Sequence, residues 1–404
     1  MPATSWVPIG KDDPFGAHTL PYGVFSTDDE DPRVGVAIGS YVLDLAPLAA
    51  VENLDGAHVF AQRRLNPFMA LGPQAWAAVR GWLIELVRDE AQRDLVEPHL
   101  VPMADVRLHM PFDVGDYVDF YSSQHHAENV GAIFRPDSPA LPAAWKHLPI
   151  GYHGRAGTVV GSGTDIVRPS GLRRVGEAIE FGPSQRLDIE AEVGFVVGVP
   201  SALGSSVPAS AFADHVFGVV LVNDWSARDI QAFEYVPLGP FLGKSFATSI
   251  SAWVVPLAAL EDARVAPPPR DPEPAPYLRD DQPWALALEL EVSWNGTVVA
   301  RPPFATMYWT PAQQLAHLTV NGASLRCGDL YASGTVTGPD RDQRGSFLEL
   351  CWNGSEPVRL ADGSERSFLE DGDEVIISAT APGPNGIRVQ LGSVTGRIVP
   401  ASNR

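Results

Sequence analysis

The segment Leu187-Asp-Ile-Glu-Ala-Glu-Val-Gly-Phe-Val-Val197 constrains the fold more than any other part of this chain. It alternates strictly at first and then becomes wholly apolar, which predicts a strand running into the interior. Two carboxylates, Glu190 and Glu192, enter with it and point to one face, about 7 Å apart along the chain. Such a pair suits a hard divalent cation once other segments add oxygens. The spacing alone decides nothing, because Glu289-Leu-Glu291 repeats it before an evident hairpin turn, where a solvated face explains it.

Other segments read the same way. Val34 to Leu45 is two apolar runs around Gly39-Ser40, a hairpin. Leu286 to Ala300 carries an Asn295-Gly296 turn, and Asp371 to Ser378 and Ile387 to Val394 continue the strand pattern. With 37 Gly and 37 Pro, turns are frequent and many short strands are favoured over long helices. Helical periodicity appears in 74–79, in 82–96 with an apolar stripe of Trp82, Leu83, Leu86, Val87 and Leu95, and in Pro311 to Val320. The expectation is a β-rich α+β chain of two domains, a small one over 1–110 and a larger one over 111–404. The proline-rich run Ala266 to Tyr277 reads as an extended surface insertion.

The formal net charge of -20 argues against nucleic-acid binding, since neutralising phosphates needs clustered Lys and Arg. An anionic ligand would need a local reversal of sign, from a bound cation and a few arginines. Cys327 and Cys351, the two cysteines, cannot make a disulfide framework, although pairing stays open. The first ten residues have no basic or apolar leader pattern, and no apolar run reaches membrane-span length. A soluble cytoplasmic protein with no membrane partner is expected.

The densest chemistry lies between Asp224 and Lys244. If Ser226 to Tyr235 is helical, Arg228, Gln231 and Tyr235 share one face. That row suits an anionic, oxygen-rich ligand beside a metal, although an amphipathic surface helix would look similar. Gly239-Pro-Phe-Leu-Gly-Lys-Ser245 is not a phosphate loop: three residues, not four, separate its glycines, and Pro240 removes a donor. Asp119 and Tyr121 alternate to one face just before His125 and His126, side chains suited to proton transfer near neutral pH. No local motif supports a serine or cysteine nucleophile.

Asp119-Phe-Tyr-Ser-Ser, Leu148-Pro-Ile-Gly-Tyr-His-Gly-Arg155, Leu187 to Glu192, Asn223 to Gln231, Glu234 to Phe246 and Ser333-Gly-Thr335 together resemble the fumarylacetoacetase family. The resemblance extends from the N-terminal unit to Val399 and is weakest over the first hundred residues. It implies an SH3-like β-barrel at the N-terminus, a large mixed β-sandwich roll bearing the site, and a homodimer. It implies a Ca²⁺ or Mg²⁺ cofactor held by Asp119, Glu190, Glu192 and Asp224, and a general base at His126, counted from the Asp-Phe-Tyr-Ser-Ser run and oriented by Glu349. Arg228, Gln231 and Lys244 match carbonyl-polarising positions, and Tyr121, Arg135, Tyr152, Gln231, Tyr235 and Thr335 match substrate contacts. A second cation beside Asp224, Lys244 and Thr248 is a further implication.

The activity so implied is hydrolysis of the carbon–carbon bond of 4-fumarylacetoacetate, a diketo dicarboxylate, to fumarate and acetoacetate. This is the last step of tyrosine and phenylalanine breakdown. A base activates water, donors hold the oxyanion and the cation accounts for the departing carbon. A related acylpyruvate hydrolase, decarboxylase or hydratase is the near alternative. A non-enzymatic dicarboxylate-binding protein with a structural cation is the remote one.

Overall fold

A computed structural model describes residues 5–402 apart from 11, 12, 29 and 55. Met1–Thr4, part of the stretch read as lacking a leader, lie outside the described residues. Among them, a 13-stranded sheet runs in the order Leu100–Pro102, Tyr41–Asp44, Arg33–Ile38, Tyr22–Ser26, Trp253–Pro256, Val216–Asp224, Ala191–Val197, Leu330–Ala332, Tyr117–Phe120 and Gly151–His153. The remaining strands branch from this path, and Thr248–Ile250 pairs with the end of Val216–Asp224. A five-stranded sheet orders Thr297–Ala300, Glu289–Trp294, Glu374–Pro382, Arg388–Val399 and Ile166–Val167. The chain is therefore a sheet-rich mixture of α and β.

The apolar end of the 187–197 segment is explained by cover on both faces. Ala191, Val193, Phe195 and Val197 join one core with Leu290, Val292 and Trp294 of the five-stranded sheet. Val196 joins the other, with Leu83, Leu86 and Val87 of the helix Pro73–Arg88. The neighbouring strand divides likewise, Val219 and Leu221 to the first core and Val220 and Val222 to the second. Gly194 is required here, because an added Cβ would lie 2.7 Å from Val222 Cγ2.

The hairpins at Gly39-Ser40 and Asn295-Gly296 form as the turn residues predict. The helical stripe differs from the expectation: 73–88 is one continuous helix with Gly81 inside it. The chain then breaks at Asp89 and continues in short turns to His99. Glu289 is exposed and Glu291 is paired with Arg301, as a solvated face requires. The proline-rich excursion is bracketed by pairing of Arg264–Val265 with Ala285–Leu286, and Arg270 anchors it by lying over Tyr308 and Trp309. Both cysteines are free thiols. No helix among the described residues is long and apolar enough to cross a membrane.

Candidate metal centre and active site

Strand register gathers four carboxylates. Asp119 pairs with Ala332, which in turn lies opposite Gly194, two residues from Glu192. Glu192 faces Val222, and Asp224 lies two residues further along that strand. Asp119, Glu192 and Asp224 thus share the face occupied by Val196, Val220 and Val222 at adjacent strand ends. Glu190, just before its strand, completes the group through an Asp224 N–H to Glu190 carbonyl bond of 3.1 Å. One oxygen from each of the four lies within 4.8 Å of the others, and all four residues are buried.

Their surroundings are uneven. Lys244 Nζ bonds Glu190 Oε2 at 2.5 Å and Asp224 Oδ2 at 2.8 Å. Tyr152 and Thr248 hydroxyls both donate to Asp224 at 2.8 Å. Arg228 Nη1 reaches Glu190 Oε1 at 2.7 Å. Burial pushes Glu190 up, but Lys244 and Arg228 outweigh it and hold the group well below the usual carboxylate range. Asp119 and Glu192 lie on the other side, with burial and then the neighbouring carboxylates raising both well above their ordinary values. Asp119 Oδ1 and Glu192 Oε1 are buried without a hydrogen-bond partner. Two orphaned carboxylate oxygens in an all-oxygen cluster fit a hard divalent cation. Gly334, at φ +80°, aims its N–H at Glu192 Oε2 over 3.1 Å, and an added Cβ there would collide with the Phe120 carbonyl.

Beside this cage stands a second constellation. Ser123 caps the helix Gln124–Phe134, which buries His126. His126 Nδ1 lies 2.7 Å from Glu349 Oε2, whereas neighbouring His125 is half-buried. Glu349 also accepts from Asn129, Thr337 and Ser346, at 2.9, 3.1 and 2.7 Å. Burial pushes Glu349 up, but His126 and the hydrogen bonds from Asn129 and Ser346 bring it below its ordinary 4.5. Because its folded value lies below the unfolded one, Glu349 stabilises the fold above about pH 4.5 and that contribution is lost as pH falls through the depressed value. Thermal melts from about pH 6 to about pH 3 should therefore fall more steeply for the native protein than for Glu349→Gln. Equal slopes would contradict this.

The remaining expected positions divide. The helix begins at Arg228, two residues later than its periodicity suggested, because Ser226–Ala227 pairs with Leu187–Asp188. Arg228 and Gln231 share a face, with Nη1 3.3 Å from Gln231 Oε1. Tyr235 falls on the C-cap in helical conformation, its N–H on the Gln231 carbonyl at 3.1 Å, and is 42% exposed. Tyr121 packs edge-on to His126, and burial, followed by the Glu349 and Glu190 carboxylates, pushes its hydroxyl well above the ordinary value. Arg135 donates to the Ala140 carbonyl at 3.2 Å. Thr335 Oγ1 is buried and unpartnered. Tyr152, Asp224, Phe241 and Lys244 line one cleft. At the positions named for a second cation, Lys244 Nζ and the Thr248 hydroxyl both donate to Asp224. Asn129, Thr337 and Ser346 were not anticipated, nor was Asp188, which accepts from Arg228 Nε at 2.8 Å. Asp188 had a signal, since it shares the parity of Glu190 and Glu192.

The family described as fumarylacetoacetate (FAA) hydrolase C-terminal matches residues 117–399, and that described as fumarylacetoacetase N-terminal matches 18–111. The chain is 46% identical to the human fumarylacetoacetase over 415 residues, covering 98% of this chain and 99% of that protein. It is 48% identical to the Caenorhabditis elegans fumarylacetoacetase over 419 residues, with the same coverages. A solved fumarylacetoacetate hydrolase from Exiguobacterium antarcticum superposes with a TM-score of 0.56 at 18% identity, over 95% of this chain and all of that one.

Proposed function

The chain belongs to the fumarylacetoacetase family, and from that premise we propose that it hydrolyses the carbon–carbon bond of 4-fumarylacetoacetate, giving fumarate and acetoacetate. The observation that carries this reading is the meeting of a four-carboxylate cage with a buried His–Glu pair and two cations.

An ionised Glu349 accepts hydrogen bonds and cannot donate, so the proton between it and His126 sits on Nδ1. That leaves the Nε2 lone pair to take a proton from water. The hydroxide oxygen then bonds to the attacked carbonyl carbon. Arg228 Nη2 is buried without a partner and is the donor in hand for the oxygen that gains charge. Gln231 and Lys244 are assigned the same work, Lys244 through the proton its two carboxylates leave free. The carbon–carbon bond breaks, its electron pair stays with the acetoacetate carbon, and that carbon takes up a proton. Asp119, Glu190, Glu192 and Asp224 would hold the divalent cation, a Lewis acid toward the substrate's diketone oxygens. Tyr121, Arg135, Tyr152, Tyr235 and Thr335 are assigned to substrate, with the buried free hydroxyl of Thr335 the best supported.

Several finer features belong to the same reading: Ca²⁺ or Mg²⁺ as the cation, a cytoplasmic setting, a place at the end of tyrosine and phenylalanine breakdown, and division at residue 110. An SH3-like barrel at the N-terminus is supported by strand 107–108, which follows a 3₁₀ turn and returns to pair with Tyr22–Ser26. A homodimer is supported by exposed apolar side chains such as Leu238, 96% accessible, and Phe181, 74%.

Incubation with fumarylacetoacetate and, separately, with simple acylpyruvates tests the reaction. Stoichiometric fumarate and acetoacetate from the first, with slower turnover of the second, is expected. Preference for acylpyruvates would move the chain to that branch of the family's chemistry. Binding without product would leave only a binding protein.

A further inference from the structure

Asp188 is fully buried and serves two elements at once. Its Oδ1 accepts the N–H groups of Ile189 and Phe347 at 2.7 and 2.8 Å. Its Oδ2 accepts the Leu348 N–H at 3.1 Å and Arg228 Nε at 2.8 Å. One carboxylate therefore ties the helix Arg228–Glu234 to the short helix Phe347–Leu350, which carries Glu349.

We propose that Asp188 is a positioning residue that fixes the Arg228 fork and the Glu349 helix relative to one another without touching substrate. This rests on the function proposed above. A guanidinium beside a carboxylate prefers the two-pronged arrangement that engages two of its N–H groups. Glu190 alone would invite Arg228 into that arrangement, turning Nη2 toward Glu190 and taking one of its protons. With Nε committed to Asp188, the plane of the fork is set, Nη1 alone meets Glu190, and Nη2 stays free. The same carboxylate holds the backbone N–H groups immediately before Glu349, so a shift on one side is passed to the other.

Steady-state kinetics of the native protein, Asp188→Asn, Arg228→Lys and the double variant test this, with thermal melting and Mg²⁺ or Ca²⁺ binding measured on each. Asparagine keeps the shape and one acceptor but cannot accept from Arg228 through its amide nitrogen. The expected result for Asp188→Asn is a kcat lowered about 10- to 100-fold with little change in KM or cation affinity. In the Arg228→Lys background the same change should cost no more than about threefold. Should the asparagine variant not fold, Asp188→Ser, which removes the charge and leaves a single side-chain oxygen, should reproduce this pattern. Losses that multiply, a lowered melting temperature with kcat intact, or failure of both variants to fold would overturn the positioning role while native turnover stands. A native protein with no turnover of fumarylacetoacetate would sink the proposed function and this inference with it.

Discussion

Replacing His126 by alanine is expected to lower turnover by about 10²–10⁴-fold, the range a well-placed general base supplies. The Glu349 carboxylate receives four side-chain hydrogen bonds, from His126, Asn129, Thr337 and Ser346. An acceptor so surrounded stays ionised and orients the imidazole, which leaves Nε2 as the single proton acceptor of the pair. The cation cage shares no ligand with this pair, so cation binding should be unchanged in His126→Ala. His125→Ala should retain activity within a few-fold, since that ring is half-buried and stands outside the pair. Loss of activity on changing His125, with His126→Ala active, would move the base by one residue.

The second large effect is expected at Glu192. Its Oε2 takes the Gly334 N–H, and its Oε1 has no partner, so Glu192→Gln removes a cation ligand and disturbs few other contacts. Asp224→Ala is a blunter change, because it also strips partners from Lys244, Tyr152 and Thr248. Lewis-acid stabilisation is worth several kcal/mol, and each 1.36 kcal/mol is tenfold in rate. Turnover should therefore fall by about 10²–10³-fold with loss of bound cation. Stability should move the other way. Three other carboxylates crowd Glu192 in a buried site, so a neutral amide there relieves like-charge repulsion. The chelated Glu192→Gln protein should melt no lower than the chelated native protein, the signature of a site strained for function. A lower melting temperature together with full activity would remove Glu192 from the cation site.

Much of this was legible in the sequence, and the exceptions have a common cause. Val34 to Leu45, Leu286 to Ala300 and Pro311 to Val320 formed the expected elements because their period and their turn or cap residues agree locally, down to the Thr310–Gln313 capping box. The four cage residues were found through motif resemblance, and their convergence follows from register across adjacent strands. The Glu349 environment was hidden because Asn129 lies 220 residues from its partner in sequence. Asp188 was hidden for the same reason, with its backbone partners at 347 and 348. Its parity with Glu190 and Glu192 marked the shared face, but parity cannot say which cation each carboxylate meets.

The account turns on whether the four buried carboxylates hold a divalent cation that turnover requires. The direct measurement is one titration: chelate the protein, add back Mg²⁺ and, separately, Ca²⁺, and follow bound cation and fumarate release together. The account predicts negligible activity in the chelated protein and recovery in proportion to occupancy, complete at one cation per chain. Full turnover in a protein shown to be free of divalent cation would contradict it.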